Sequence, residues 1–140
     1  MTTVLLDTCI IIDILQKREP FWKDAAGVFY AVANNKIVGV VTAKSITDIY
    51  YIYHRYTHNN EDTRDVILKL LSLFQCADTT SSDCINALHT SISDYEDAVM
   101  METAKRIRAD YIITRNLKDY MNSPVKGILP GDFLLQLEGN

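Results

Sequence analysis

The sequence is poor in glycine and cysteine, and each shortage excludes a class of protein. Its five glycines form neither a G-x-G nor a P-loop pattern, so the glycine-rich phosphate loops of nucleotide-binding folds are absent. The cysteines are odd in number and lie in or beside apolar runs, at Cys9, Cys76 and Cys84. This arrangement excludes a disulfide-stapled scaffold and favours a reducing compartment.

Long uninterrupted hydrophobic segments are also missing. The apolar N-terminus, MTTVLLDTCIIIDIL, contains Asp7 and Asp13 and has no basic leader, so it predicts neither a signal peptide nor a membrane span. The chain has 140 residues, of which 48% are hydrophobic and 23% are charged, and this composition is typical of a globular protein. We therefore expect one cytoplasmic domain over residues 1–140.

Positive charge is scarce. Fourteen Lys and Arg residues face 18 Asp and Glu residues, giving a formal net charge of −4. This balance argues against a protein that grips nucleic acid by blanket positive charge. Thirteen of the acids are Asp and five are Glu. Helix caps and turns explain most of the aspartates, and a metal site is the alternative explanation for the rest.

Short apolar runs alternate with helical patterns along the whole chain. The runs predict buried strands at Thr3–Leu6, Val38–Val41, Phe74–Ala77, Tyr111–Ile113 and Val125–Leu129. Apolar spacings of three and four, together with capping residues, predict helices after Asp7 and at Phe21–Asn34, Ala43–Tyr56, Asp62–Phe74, Thr80 or Ser81 to Ser91, and Asp94–Arg108, with a loop at His58–Asp62. The alternation favours an α/β fold with a parallel sheet covered on both faces.

Acidic residues fall where the carboxyl ends of these strands should meet. Asp7 closes the first strand, and Asp48 lies on the second turn of the helix after the Val38 strand. The remaining candidates flank the Tyr111 strand and are Asp97, Thr114, Asn116 and Asp119. Carboxylates gathered at one sheet edge repel each other and oppose folding. A hard divalent metal ion would remove that cost.

Three segments carry a resemblance to a known family: VLLDTCIIIDIL, TAKSITDIYYIY and DYEDAVMMETAKRIRADYIITRNLKDY. Together they resemble the PIN-domain ribonucleases, which include the VapC-type toxins of bacterial toxin–antitoxin pairs. The resemblance implies a three-layer α/β sandwich with a central parallel sheet of about five strands. It also implies hydrolysis of RNA phosphodiester bonds with Mg²⁺ or Mn²⁺, an antitoxin partner and a homodimer.

The resemblance also assigns roles to residues. It implies that the catalytic acids and metal ligands are Asp7, Asp48, Asp97 and Asp119, with Asn116 as a further ligand. Thr114 resembles the hydroxyl residue that orients this cluster. Many family members have Glu at the position of Asp48, so its shorter side chain predicts a weaker metal position and slow cleavage. Basic residues near the site are candidate contacts for substrate phosphate, with solvation as the alternative: Lys44, Arg115 and Lys118.

Other functions remain to be compared with this one. A response-regulator receiver requires an acidic pair after the first strand, and a haloacid-dehalogenase-type phosphatase requires a second Asp two residues after the first. Thr8 and Cys9 stand at these positions and exclude both. The remaining alternative is a catalytically weak PIN fold that binds RNA or protein, and Asp48 favours it.

Two aspartates outside the proposed ligand set have structural explanations. Asp13 is predicted to lie at the surface, and Asp94 is predicted to cap the helix that contains Asp97.

Two helices indicate how the protein assembles. The helices Ala43–Tyr56 and Asp62–Phe74 carry more apolar residues than one face of a lone domain buries. We expect them to form a homodimer interface, the alternative being that they are sandwiched in the core.

Overall fold

The central sheet has five parallel strands. A computed structural model, described over residues 1–139, contains β1 (Thr3–Leu6), β2 (Val38–Thr42), β3 (Gln75–Ala77), β4 (Tyr111–Ile113) and β5 (Lys126–Ile128). Their order across the sheet is β3-β2-β1-β4-β5, and every neighbouring pair is parallel. This arrangement confirms the predicted fold class. Because β1 is the middle strand, Asp7, which follows it, lies at the centre of the carboxyl edge.

Helices connect the strands and cover the sheet. They are α1 (Thr8–Leu15), α2 (Trp22–Ala33), α3 (Ala43–Thr57), α4 (Asn60–Leu73), α5 (Ser81–Ala87), α6 (Tyr95–Arg106) and α7 (Pro130–Gly139), with a short 3-10 helix at Leu117–Tyr120. Side chains cap several of them, as the sequence predicts. Asp94 accepts a hydrogen bond from the backbone N of Asp97, and Thr80 forms a capping box with Asp83.

The core is divided between the two faces of the sheet because side chains alternate along each strand. On one face Val4, Leu6 and Ile113 pack in a large cluster with residues of α1, α2, α3, α4 and α7. On the other face Leu5 and Ile112 pack with Met100, Met101 and Ala104 of α6 and with Tyr120. The chain therefore has three layers, and α6 brings the acids at its start to the carboxyl edge.

Some predicted elements differ from those observed. The helix that begins after Thr80 ends at Ala87 rather than Ser91, and α4 begins at Asn60, inside the predicted loop. The helix α7 was not predicted, since its segment PGDFLLQLEG opens with the helix-disfavouring pair Pro-Gly. Within residues 1–139, every helix is too short or too polar to cross a bilayer.

The prediction that Asp13 lies at the surface is wrong. Its side chain is fully buried on α1, with no exposed fraction. It escapes the usual cost of an isolated buried carboxylate because the guanidinium of Arg115 hydrogen-bonds to both of its oxygens. Sequence periodicity places Asp13 on a helix but cannot reveal a partner located far along the chain.

Candidate active site

Three carboxylates converge at the carboxyl edge, where α6 begins and the 3-10 helix passes. One oxygen from each of Asp94, Asp97 and Asp119 lies within 4.8 Å of the others. The side-chain amide of Asn116 joins two of them, because its Nδ2 donates to Asp97 Oδ2 at 2.7 Å and to Asp119 Oδ2 at 2.8 Å. We call Asp94, Asp97 and Asp119 the acidic cluster. The amide of Asn116 holds two of its carboxylates together.

Thr114 connects the end of β1 to the acidic cluster. Its buried hydroxyl donates a hydrogen bond to Asp7 Oδ2 at 2.8 Å and accepts one from the backbone N of Asn116 at 2.9 Å. The backbone N of Asp7 also donates to the carbonyl oxygen of Ile113. Asp7 and the loop that carries Asn116 are therefore fixed to each other, although they lie more than a hundred residues apart.

The electrostatics of these carboxylates oppose full ionisation. Burial raises the pKa of Asp97 to about 7, assisted by its hydrogen-bonded contact with Asp119 and by the negative charges of Asp7 and Asp94. Burial also raises the pKa of Asp7, although the hydroxyl of Thr114 favours the ionised form. Removal of these groups from water and their mutual repulsion both penalise the charged state. A cation held between the carboxylates would relieve their repulsion without protonation of any of them.

Asp48 lines a cavity that it shares with Asp7 and Asp97. This cavity has a volume of about 300 Å³. Asp48 is not one of the residues of the acidic cluster. Its Oδ2 lies 2.5 Å from Lys44 Nζ. Lys44 Nζ also lies 3.3 Å from Glu96 Oε1, so one lysine stands between acids of α3 and α6. The cavity is thus lined by the positively charged side chain of Lys44 as well as by acids.

The structure adds two acids to the site that the sequence analysis had not placed there. Asp94 belongs to the acidic cluster in addition to capping α6, and Glu96 lines the cavity with Lys44. Their position within three residues of Asp97, at the N-cap and in the first turn of α6, was the available signal. Helix capping already explained Asp94, so its membership of the cluster was overlooked.

The basic candidates are placed differently from one another. Lys44 lines the cavity, and exposed Lys118 lines a small depression together with Asp119. The guanidinium of Arg115 is instead bound to Asp13, and it lies 4.0 Å from the centre of the Phe21 ring. Arg115 is therefore anchored to α1 and Phe21, although its side chain remains 31% exposed.

The donors present suit a hard divalent ion. Carboxylate oxygens dominate, and Mg²⁺ and Mn²⁺ prefer oxygen ligands. Among residues 1–139, the acidic cluster is the group of acids, histidines and cysteines whose ligand atoms converge. The raised pKa of Asp97 reflects burial first and then the neighbouring negative charges, whose repulsion such an ion would offset. The residues therefore fit a Mg²⁺ or Mn²⁺ ion.

The same residues lie within a family match that covers most of the chain. A family model described as PIN domain matches residues 3–118. The chain belongs to the PIN domain family. This match confirms the resemblance seen in the sequence. It spans Asp7, Asp48, Asp97 and Asn116, and ends one residue before Asp119. No curated protein has a sequence that matches this PIN domain.

Solved structures share the fold. VapBC2 from Rickettsia felis, solved with a promoter DNA fragment, matches with a TM-score of 0.68 and 14% identity, covering 91% of this chain and 98% of that one. A toxin–antitoxin complex from Klebsiella pneumoniae matches with a TM-score of 0.66 and 22% identity, covering 91% and 97%. VapC20 from Mycobacterium tuberculosis, a toxin that cleaves the sarcin–ricin loop, matches with a TM-score of 0.61 and 10% identity, covering 78% and 86%. At these identities the likeness concerns the fold.

Proposed function

We propose that this PIN domain is a Mg²⁺- or Mn²⁺-dependent ribonuclease and the toxin of a toxin–antitoxin pair. The observation that carries the proposal is the bridge from Asn116 to Asp97 and Asp119, with Asp94 within 4.8 Å. An amide that joins two carboxylates in a self-repulsive cluster is suited to a cation site. The sarcin–ricin loop activity of VapC20, which shares the fold, supports RNA as the substrate.

The proposed metal ligands are Asp7, Asp48, Asp97, Asn116 and Asp119. A bound divalent ion would neutralise charge on the RNA phosphate and activate a water molecule for attack. The chain's own residues would position these groups. Thr114 orients Asp7, and the Nδ2 of Asn116 orients Asp97 and Asp119. Ligation through Oδ1 of Asn116 remains a prediction, and Asp94 is an additional candidate ligand.

Substrate phosphate would meet two lysines. Lys44 faces the cavity and is about half exposed, so it can contact a phosphate at the cost of its pairing with Asp48. Exposed Lys118 stands beside Asp119 and offers a second contact. Arg115, the third candidate contact, keeps only its Nη1 for a phosphate, since its Nε and Nη2 donate to Asp13.

A binding module with weak catalysis is the second candidate function, and the Lys44–Asp48 pair favours it. Asp48 is already neutralised by a cation of the chain itself, and its side chain is shorter than Glu. An acid held in this way contributes less to a metal site. In this alternative the domain would hold RNA or protein without cutting RNA.

Partners follow from the toxin proposal. The Rickettsia and Klebsiella structures are toxin–antitoxin complexes, which supports an antitoxin for this chain. We also propose that residues 1–140 act as one domain in the cytoplasm and pair as a homodimer. The exposed apolar residues of α3 and α4 support pairing, and they are Tyr51, Tyr56, Leu68 and Leu71.

A cleavage assay tests the proposed function. Purified protein would be incubated with single-stranded RNA in Mg²⁺, Mn²⁺ or EDTA, alongside Asp97→Asn and the exposed-site control Asp65→Asn. We expect cleavage that requires the divalent ion, is lost in Asp97→Asn and is retained in Asp65→Asn. Binding of RNA without cleavage in any ion would support the binding module. Equal cleavage in EDTA would contradict metal dependence.

A further inference from the structure

A groove leads away from the acidic cluster. Its first part is a depression of about 150 Å³ that includes Asp119 and Lys118 in its lining. Its second part is a larger depression of about 510 Å³ that includes Glu102 and Lys105. Ser91, Ile92 and Asn122 line both parts, so the two adjoin each other. We call the larger part the Glu102 pocket.

Glu102 is an unusual residue to find in such a pocket. It lies on α6 with only 6% of its surface exposed. Within the described residues it forms one ion pair, with Lys105, whose Nζ lies 3.5 Å from Oε2 and whose side chain is 55% exposed. Among residues 1–139, no side chain or backbone group hydrogen-bonds to this carboxylate within normal distance. No fully buried side-chain oxygen within residues 1–139 lacks a partner, so the carboxylate oxygens of Glu102 open onto the pocket and have acceptor capacity available for a ligand.

We propose that the Glu102 pocket binds a guanine base of the RNA strand whose cleavage is proposed above, and this inference rests on that proposed function. The Watson–Crick edge of guanine presents two adjacent donors, N1–H and the N2 amino group. These match the two oxygens of one carboxylate. Adenine, uracil and cytosine each present at most one donor next to an acceptor on that edge.

The rest of the pocket suits a flipped-out base. Ile92 and Met101 supply apolar surface for the face of the ring, and His89 supplies an aromatic side chain. Lys105 stands beside the carboxylate, where it can meet a backbone phosphate or the O6 atom of guanine. A base in this pocket would belong to a strand that continues along the groove to Asp119.

Discrimination would come from the buried carboxylate. A base without two donors leaves an oxygen of Glu102 unpaired out of contact with water, and that penalty applies to every base except guanine. A bidentate contact of this kind changes preference by about tenfold. The pocket would therefore select sites that carry guanine at one fixed position flanking the cleaved bond.

The test is cleavage-site sequencing on an RNA pool randomised around a fixed scaffold. For the wild type we expect guanine to be preferred by about tenfold at one flanking position. In Glu102→Gln we expect that preference to fall to near unity, because a side-chain amide presents only one acceptor. The matched control is Glu138→Gln, an exposed position that lines neither part of the groove, and it should keep the preference.

A second arm uses only the wild type, so it does not depend on a variant that folds. Inosine, which lacks the N2 amino group, would replace guanine at the preferred position, and we expect cleavage there to fall severalfold. Cleavage with no guanine preference, or a preference unaltered by both inosine and Glu102→Gln, would overturn the pocket assignment. Saturable binding of guanosine monophosphate without a preference in RNA would also overturn it and indicate a free-nucleotide site.

The failure of the proposed function would look different. If the protein cleaves no RNA in any divalent ion, the ribonuclease proposal fails, and the pocket is then judged by RNA binding. Under the pocket proposal, a guanine-containing oligonucleotide binds the wild type about tenfold more tightly than its inosine counterpart. Equal affinity for the two would overturn the pocket as well.

Discussion

Arg115 and Asp13 form a two-point ion pair across 102 residues of sequence. Nε of Arg115 donates to Asp13 Oδ2 at 2.8 Å, and Nη2 donates to Oδ1 at 3.1 Å. Asp13 lies on α1, and Arg115 comes directly before Asn116. The pair therefore anchors the loop after β4 to the first helix, and it places the amide that bridges the acidic cluster.

The first prediction concerns this pair. Arg115→Met leaves the fully buried carboxylate of Asp13 without its cation and should lower the free energy of unfolding by about 3 kcal/mol. Asp13→Asn should cost less, because the guanidinium of Arg115 retains some contact with water. The double variant should recover part of the loss in urea unfolding. Strictly additive losses would show that the two residues do not interact.

The second prediction concerns the self-repulsion of the acidic cluster. Without metal, Asp97→Asn should melt at a higher temperature than the wild type, since it removes one of the repelling charges. Added Mn²⁺ at a hundredfold its dissociation constant should stabilise the wild type by about 2.7 kcal/mol. Asp97→Asn should gain much less, and Asp65→Asn should behave like the wild type in thermal melts. Equal gains in all three proteins would mean that Mn²⁺ binds elsewhere.

The third prediction separates the two partners of the Lys44–Asp48 pair. Lys44→Met removes the cation that occupies Asp48 and should tighten Mn²⁺ binding measured by calorimetry. Asp48→Glu should also tighten it and raise RNA cleavage, whereas Asp48→Ala should lower both. Lys69→Met, at an exposed position of α4, is the control. Lower activity with unchanged metal affinity in Asp48→Glu would show that the site is built around Asp.

The fourth prediction is a pH dependence of stability that originates away from the active site. Burial alone would raise the pKa of Asp83, but hydrogen bonds from Arg106, Thr80 and Thr103 lower it to about 2. Because this value lies below that of an unfolded aspartate, about 3.9, Asp83 stabilises the fold at neutral pH. That contribution is lost as the pH falls through the folded-state pKa.

Asp83→Asn should therefore lower the free energy of unfolding by about 2 kcal/mol at pH 7. The difference from the wild type should shrink as the pH falls from about 5 to about 2. Urea titrations across this pH range would measure it. A difference that stays constant with pH would exclude the charge of Asp83 as the cause, and Asp65→Asn supplies the baseline for an exposed acid.

The fifth prediction concerns assembly. Light scattering at micromolar concentration should give twice the monomer mass of 15.9 kDa. Tyr56→Asp combined with Leu68→Asp should reduce it to the monomer mass, since both side chains are more than half exposed in the single chain. Ile67 packs against the core and is a poorer probe. Leu135→Asp on α7 should leave the dimer intact, and a wild-type mass near 15.9 kDa would contradict the proposal.

Local patterns in the sequence were sufficient for most of the fold. The strands Thr3–Leu6 and Tyr111–Ile113 were predicted with their observed bounds, because each is a short apolar run that ends at a polar residue. The helix α7 was missed, since burial of Phe133 against Tyr111 outweighs the weak propensity of its first residues. The formation of α7 therefore depends on packing between distant segments, which a local sequence pattern does not show.

The candidate site was predictable as a set of residues but not as a geometry. Because the carboxyl ends of parallel strands meet at one edge of a sheet, the sequence located Asp7, Asp48 and Asp97 at that edge. It could not show that Lys44 neutralises Asp48 or that Arg115 is bound to Asp13, because both depend on side-chain direction. The buried Glu102 was not recognised either, since one acid within the apolar stretch of α6 gives no periodic signal.

The position of β1 in the sheet has a consequence for the synthesis of the protein. One neighbour of β1, the strand β2, ends at Thr42, but its other neighbour, β4, begins only at Tyr111 and is therefore synthesised much later. The hydrogen bond from Thr114 to Asp7 forms only when β4 has docked, because Thr114 directly follows that strand. Asn116 and Asp119 reach the site at the same stage. A nascent chain that ends before Asn116 therefore lacks the bridged carboxylates. Under the proposed function, we expect the translating ribosome to be exposed to nuclease activity only after most of the domain is complete.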